Sequence, residues 1–144
     1  MSPIACTADV SGVYQMPVAR AAALLRDAAL AAGLSWVAID LRAARGKRKL
    51  LETFARVLRF PGTFGNNWDA MADCLQDLSW LDGRGWVLQI QNIQAVGKAD
   101  AASVAVLMEI LEAAAEYWKR QGRPFIVLVD AVGGRPVFPS RLPS

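Results

Sequence analysis

Phe125-Ile126-Val127-Leu128-Val129 is an uninterrupted apolar run about the length of one strand. Runs of this kind are typical of a strand that is buried on both faces, as in a parallel sheet. Two similar runs lie upstream, at 36–41 and 86–91, and helical sequence separates the runs from one another. Parallel strands need crossover helices between them. The pattern therefore predicts an α/β fold with a central parallel sheet of three strands, or four if Gly12–Gln15 adds one.

The helical segments are recognised by their stop signals. The Ala-rich segment 21–32 precedes Gly33, segment 50–58 ends before Pro61, and segment 101–121 precedes Gly122. Glycine and proline commonly end helices in this way. With a further helix over 67–78, the sequence predicts about four to five helices around the sheet. This three-layer single domain suits a chain of 144 residues.

The helix predicted over 67–78 has an apolar side and an acidic side. At 100° per residue, one side carries the residues that are expected in the core, namely Trp68, Met71, Ala72, Leu75 and Leu78. The opposite side carries Asp69, Asp73 and Asp77, and Asn66 or Asn67 is the expected N-cap. Aspartates spaced by four residues repel one another weakly. The acidic row is either a solvated face or a surface that imitates a phosphate backbone for a partner that holds RNA.

Charge and histidine content restrict the chemistry. The chain has no histidine, which removes Ser-His-Asp arrangements and the commonest zinc ligand. The net charge is +3, but residues 62–116 carry eight acidic and only two basic residues. Opposite potentials on different surfaces favour selective association with a charged partner. We therefore expect a binding protein, with no catalytic residue, metal or cofactor, and not an enzyme.

The cellular compartment is predicted from the small number of cysteines and from the lack of an evident targeting signal. Cys6 and Cys74 are too few for a disulfide framework, and Cys74 is expected to be a small buried hydrophobe. No basic and apolar leader and no membrane-spanning run are evident. These features predict a cytoplasmic protein that does not enter membranes and is monomeric when free.

The segment Phe60-Pro61-Gly62-Thr63-Phe64-Gly65-Asn66-Asn67-Trp68-Asp69-Ala70-Met71-Ala72-Asp73-Cys74-Leu75 resembles the signature of the barstar family. The likeness extends over about 35–130 and includes the order of the strands and helices. It implies a protein that inhibits a basic, barnase-type ribonuclease. On this resemblance, residues 1–34 are an N-terminal extension packed on the same domain, as in some longer bacterial members, and 131–144 are an irregular tail.

The resemblance also implies roles for individual residues. The inhibitory surface of the family is the helix and the turn before it, here including Asn67. The most important carboxylate of the family matches Asp73, and an upstream carboxylate matches Asp69, with Asp77 beside them. An aromatic position of the turn matches Thr63, with Phe64 next to it. A second acidic contact matches Glu112 or Glu116, depending on where a gap is placed.

Three features depart from the family pattern. Thr63 replaces an aromatic residue, Ala72 stands at a tryptophan position, and the chain has a pI near 9.2 where typical members are acidic. Thr63 and Ala72 both stand at positions that the resemblance implies in partner binding. They affect the identity of the ribonuclease more than the fold.

Two alternatives compete with inhibition of a ribonuclease. One is a protein-binding module of the same fold with a different partner. The other is nucleic-acid binding through the basic segment 42–49, although we favour a solvated loop there and do not expect direct nucleic-acid binding. A role of Asp69 and Asp73 as a Mg²⁺ site or as an acid–base pair ranks below inhibition, because no histidine or lysine accompanies them.

Overall fold

The centre of the molecule is a four-stranded parallel sheet. The structure is a computed structural model that describes residues 6–62 and 65–130. The strands are β1 (Gly12–Gln15), β2 (Ser35–Asp40), β3 (Trp86–Gln91) and β4 (Phe125–Val129), in the spatial order β1-β4-β3-β2. All neighbouring strands run parallel. The predicted α/β fold is confirmed, and the sheet has the fourth strand that the sequence left open.

Five helices connect and cover the strands: α1 (Ala19–Ala31), α2 (Lys47–Val57), α3 (Trp68–Leu75), α4 (Ile93–Ala99) and α5 (Ala101–Arg120). A short 3₁₀ turn, Ala8–Val10, precedes β1. Among the described residues, no helix is both long enough and apolar enough to cross a membrane.

The two faces of the sheet bury different helices. Successive side chains of a strand point to opposite faces. On one face, Trp86, Leu88 and Val127 join a large core that includes buried residues of α2, α3 and α5. On the other face, Val87, Ile126 and Leu128 pack with α1. Helices on both faces make a three-layer α/β/α arrangement.

The segment before β2 supplies both an edge strand and one outer layer. Gly12 lies opposite Ile126 in the β1–β4 pair, and the amide of Met16 donates to the carbonyl of Val129 at 2.9 Å. From α1, Leu25 and Ala29 are both 0% exposed. This segment therefore covers apolar strand residues that otherwise would face solvent.

The elements differ from the sequence prediction in three respects outside the region of α3. Residues 47–49 are the first turn of α2 and not part of a basic loop. Helix α4 was not predicted, and β2 is a half-exposed edge strand and not a buried one, with Ile39 its only buried residue. The expected irregular tail, 131–144, lies outside the described residues.

Candidate partner-binding surface

Helix α3 begins at a side-chain cap. Asn67 is extended, and its Oδ1 accepts a hydrogen bond from the amide of Ala70 at 2.7 Å. This satisfies one of the amides that every helix leaves without an intrahelical partner at its start. The residue before it, Asn66, has φ +52°, a left-handed conformation that asparagine tolerates better than most residues. The left-handed Asn66 and the capping Asn67 therefore mark the start of α3.

The two sides of α3 are as the spacing predicts. Met71 and Leu75 are 0% exposed, and Trp68 is half-buried against the same core. Asp69 and Asp73 are exposed on the other side, one helical turn apart. Ala72, expected on the core side, is half-buried next to Asp73. The helix thus presents two carboxylates to solvent, while its buried side chains fix it on the core.

Helix α3 ends at Leu75, before the predicted end at about residue 78. The indole Nε1 of Trp118, on α5, donates to the carbonyl of Leu75 at 2.8 Å. Leu78 takes φ +51° and is 1% exposed, so its burial is achieved in a turn and not on the helix. Asp77 therefore lies in that turn, exposed, and not on a third helical step of the acidic row.

The ion pairs that the structure describes do not neutralise the carboxylates on α3 and in the turn after it. Asp69, Asp73 and Asp77 take part in no ion pair within 6–62 and 65–130. Their field reaches Cys74, whose thiol pKa is raised by burial first and then by the charges of Asp73 and Asp77. Cys74 is half-buried where we expected a buried side chain.

Helix α5 packs against α3 and carries the predicted glutamates. Glu112 and Glu116 are both exposed, four residues apart on α5. The structure therefore brings the predicted residues Asn67, Asp69, Ala72 and Asp73 onto one helix, with Asp77 just beyond it and the glutamates on the neighbouring helix. Thr63 and Phe64, in the turn before α3, lie outside the described residues.

Sequence reasoning missed the basic neighbour of α3. The Nζ of Lys47 lies 5.8 Å from the centre of the Trp68 ring, a cation–π distance. The first turn of α2 thus adjoins the first turn of α3. No local pattern indicates this contact, because it depends on how the two helices pack.

Trp80 is half-buried and packs against the core. Its Nε1 donates to the carbonyl of Leu58 at 2.8 Å, and its ring meets Phe60 edge-on at 6.1 Å.

In the described part of the chain, no three His, Cys, Asp or Glu side chains are grouped so that they could hold a metal ion. The chemistry available at α3 is electrostatic complementarity with a cationic partner.

Comparison with known proteins finds a family match over residues 34–130. A family model described as Barstar (barnase inhibitor) matches this range. The match begins just before β2, so β1 and α1 precede it. A search of curated proteins finds no match.

Proposed function

Since the chain belongs to the barstar family, we propose that it inhibits a basic ribonuclease of the barnase type by placing α3 in the active site of that enzyme. The observation that supports this most directly is the pair of exposed carboxylates, Asp69 and Asp73, on a helix that has no basic residue. A ribonuclease active site is cationic, because it must hold phosphates. Acidic side chains on α3 complement that charge and exclude the substrate.

The rigidity of α3 suits this role. Its start is held by the Asn67 cap, its end by the hydrogen bond from Trp118, and its inner side by Met71 and Leu75. A preorganised surface loses little conformational freedom when it binds. The carboxylates of α3 therefore meet a partner without first having to become ordered.

We assign the central contact to Asp73 and the flanking contacts to Asp69, Asp77, Thr63 and Phe64. The half-buried Ala72 gives α3 a small side chain beside Asp73, which leaves room for a larger group of the partner. One of the two glutamates of α5, Glu112 or Glu116, completes the acidic surface.

The test is an RNA-cleavage assay in which the purified protein is titrated against a barnase-type ribonuclease. We expect stoichiometric inhibition by the wild type. Asp73→Ala should weaken inhibition by at least about a hundredfold, because a cation of the enzyme would stay buried without its partner. The matched control is Asp82→Ala, which removes the same charge from an exposed turn outside α3 and should change inhibition less than about twofold.

Two results would count against the proposal, and a third is expected from it. Equal effects of Asp73→Ala and Asp82→Ala would show that only net charge matters and would contradict a specific role for α3. Absence of inhibition by the wild type would favour a protein partner other than this class of ribonuclease. Loss of affinity as salt rises is expected if charges steer the encounter.

A further inference from the structure

A concentration of positive charge lies beside α3 and takes no part in the proposed inhibition. We call it the basic cluster. It combines the segment after β2, the first turn of α2 and the last turn of α4, and its members are Arg42, Arg45, Lys47, Arg48, Lys49 and Lys98. The sequence indicates only the first five as neighbours. The fold adds Lys98 from a different element.

The basic cluster contains an open cleft of about 430 Å³. Its lining consists of Arg45 and Lys98, which are both cationic, and of Ala95 and Ala99. Two cations beside small apolar side chains leave room for an anionic group and offer it two charged contacts. This arrangement distinguishes the cluster from an ordinary solvated loop.

Few carboxylates neutralise the basic cluster. Arg42 lies 3.5 Å from Asp40 and Arg48 lies 3.7 Å from Glu52, and all four side chains are substantially exposed. Exposed pairs of this kind are weak and are screened by salt. The other four cations form no ion pair in the part of the chain that the structure describes. The cluster therefore keeps most of its charge for an external anion.

A third carboxylate, Asp100, is near the cluster but is already engaged. It accepts hydrogen bonds from the hydroxyl and the amide of Ser103, at 2.6 and 3.1 Å, and another from the amide of Lys47. Asp100 caps α5 in this way. Its side chain serves the backbone and is not paired with a cationic side chain of the cluster.

The position of the cations is unfavourable for folding. Lys47, Arg48 and Lys49 occupy the first turn of α2, which contains no acidic residue, and Gly46 gives no side-chain cap. The amino end of a helix carries partial positive charge and repels cations. The carboxylate of Asp100 at the amide of Lys47 offsets part of this repulsion, and a bound anion would offset more of it.

From the cleft, the scarcity of counter-charge and the adverse helix position, we propose that the basic cluster is a second binding site, which takes the phosphodiester backbone of a nucleic acid. Positive charge continues outside the cleft into the first turn of α2, at 47–49, so the ligand is an extended polyanion and not a single phosphate. This proposal stands independently of inhibition through α3.

The structure favours nucleic acid over a membrane surface. Proteins that lie on membranes place large apolar side chains next to their cations. Within the described residues, the large apolar side chains that are exposed are Val18, Leu24 and Leu30, at 76%, 52% and 51%. They lie on or just before α1, which covers the face of the sheet opposite to α2. Cations and apolar groups therefore do not share one surface.

The test measures binding of a labelled single-stranded oligoribonucleotide by fluorescence anisotropy between about 50 and 200 mM salt. The wild type is compared with Arg45→Ala/Lys98→Ala, which removes both cations of the cleft. The matched control, Arg20→Ala/Arg120→Ala, removes the same charge from exposed positions on α1 and α5. Circular dichroism establishes that each variant is folded, and a deoxyribonucleotide of the same sequence and anionic lipid vesicles are the further ligands.

We expect wild-type binding that falls with salt and is similar for RNA and DNA, because the contacts are to the backbone. Loss of two contacts should reduce the slope of log affinity against log salt by about 1.4 and weaken binding at about 0.1 M salt by roughly 25-fold. The RNA affinity of the control pair should stay within about threefold of that of the wild type. Asp73→Ala should bind RNA at least as tightly as the wild type does. No binding by the wild type, equal losses in both pairs, or binding to vesicles but not to RNA would overturn the proposal.

Discussion

The contribution of the segment before β2 is tested most sharply by Leu25→Ala. Leu25, on α1, is 0% exposed and packs on the face of the sheet formed by Val87, Ile126 and Leu128. If this segment and the region from β2 onward form one cooperative unit, as we infer, a cavity under α1 destabilises the whole domain. If α1 is only loosely attached, the same change leaves the main core unaffected.

Removal of a fully buried leucine side chain typically costs about 3 kcal/mol, the sum of lost burial and of the cavity that remains. For a chain of this size that corresponds to a decrease in Tm of roughly 6–12 °C. Urea unfolding should be followed by tryptophan fluorescence and by circular dichroism. Trp86 is 0% exposed in the core on the opposite face of the sheet, and Trp36 packs against the cluster that contains Leu25, so the fluorescence follows both faces of the sheet.

The preceding residue provides the control. Leu24 is 52% exposed, and Leu24→Ala deletes the same atoms from the same helix, so it should change the free energy of unfolding by less than about 0.5 kcal/mol. The inference of a single cooperative unit would be refuted if Leu25→Ala and Leu24→Ala had equal effects. It would also be refuted if Leu25→Ala produced a separate early transition while the main transition kept its midpoint.

Two further predictions concern helix caps. Asn67→Ala should lower the free energy of unfolding by about 1 kcal/mol and Asn67→Gly by only a few tenths, because the side chain caps α3; equal losses in urea unfolding would argue against the cap. Hydrogen bonds from the hydroxyl and then the amide of Ser103 hold the pKa of Asp100 below its usual 3.8. Because the folded state lowers this pKa, the stabilisation is complete above about pH 4 and is lost as pH falls through the lowered pKa. As pH falls from 5 to 3, the free energy of unfolding should therefore decrease less for Asp100→Asn than for the wild type. If the two proteins differ in stability by the same amount at both pH values, Asp100 does not contribute through its ionised carboxylate.

The interior strands were predictable because their sequence permits little else. Trp86–Gln91 and Phe125–Val129 are short apolar runs, and the structure has strands with those bounds. The edge position of β2 was not predictable from its composition. Its exposed Ala38 and Asp40 follow from the spatial order of the strands, which is set by contacts between distant parts of the chain.

Helix boundaries were harder to predict where local preference and tertiary structure disagree. Helix α2 begins with three cations, which is unfavourable for its first turn, so the sequence favours a loop there. Helix α4 has seven residues including Gly97, too short for a clear periodicity. The apolar spacing of α3 continues to Leu78, although the helix itself stops at Leu75.

The candidate surface was predictable only where it lies on one helix. Exposure of Asp69 and Asp73 follows from their position opposite Met71 and Leu75 on a single helix. Local periodicity carries no information about contacts between elements, such as Lys47 over the ring of Trp68. The cleft lined by Arg45 and Lys98 was equally unpredictable. It exists only once α4 has packed beside the segment after β2.

The pairing of β1 with β4 has a consequence for the order in which the chain folds. The hydroxyl oxygen of Ser11 accepts a hydrogen bond from the amide of Phe125 at 2.9 Å, across 114 positions of sequence. During synthesis β1 leaves the ribosome early, yet its neighbour is among the last segments described here. The early strand must remain unpaired until β4 has emerged, and contacts across so large a separation form slowly. Completion of the sheet is therefore the late step of folding, and until it occurs the apolar residues of both strands are open to association with other chains.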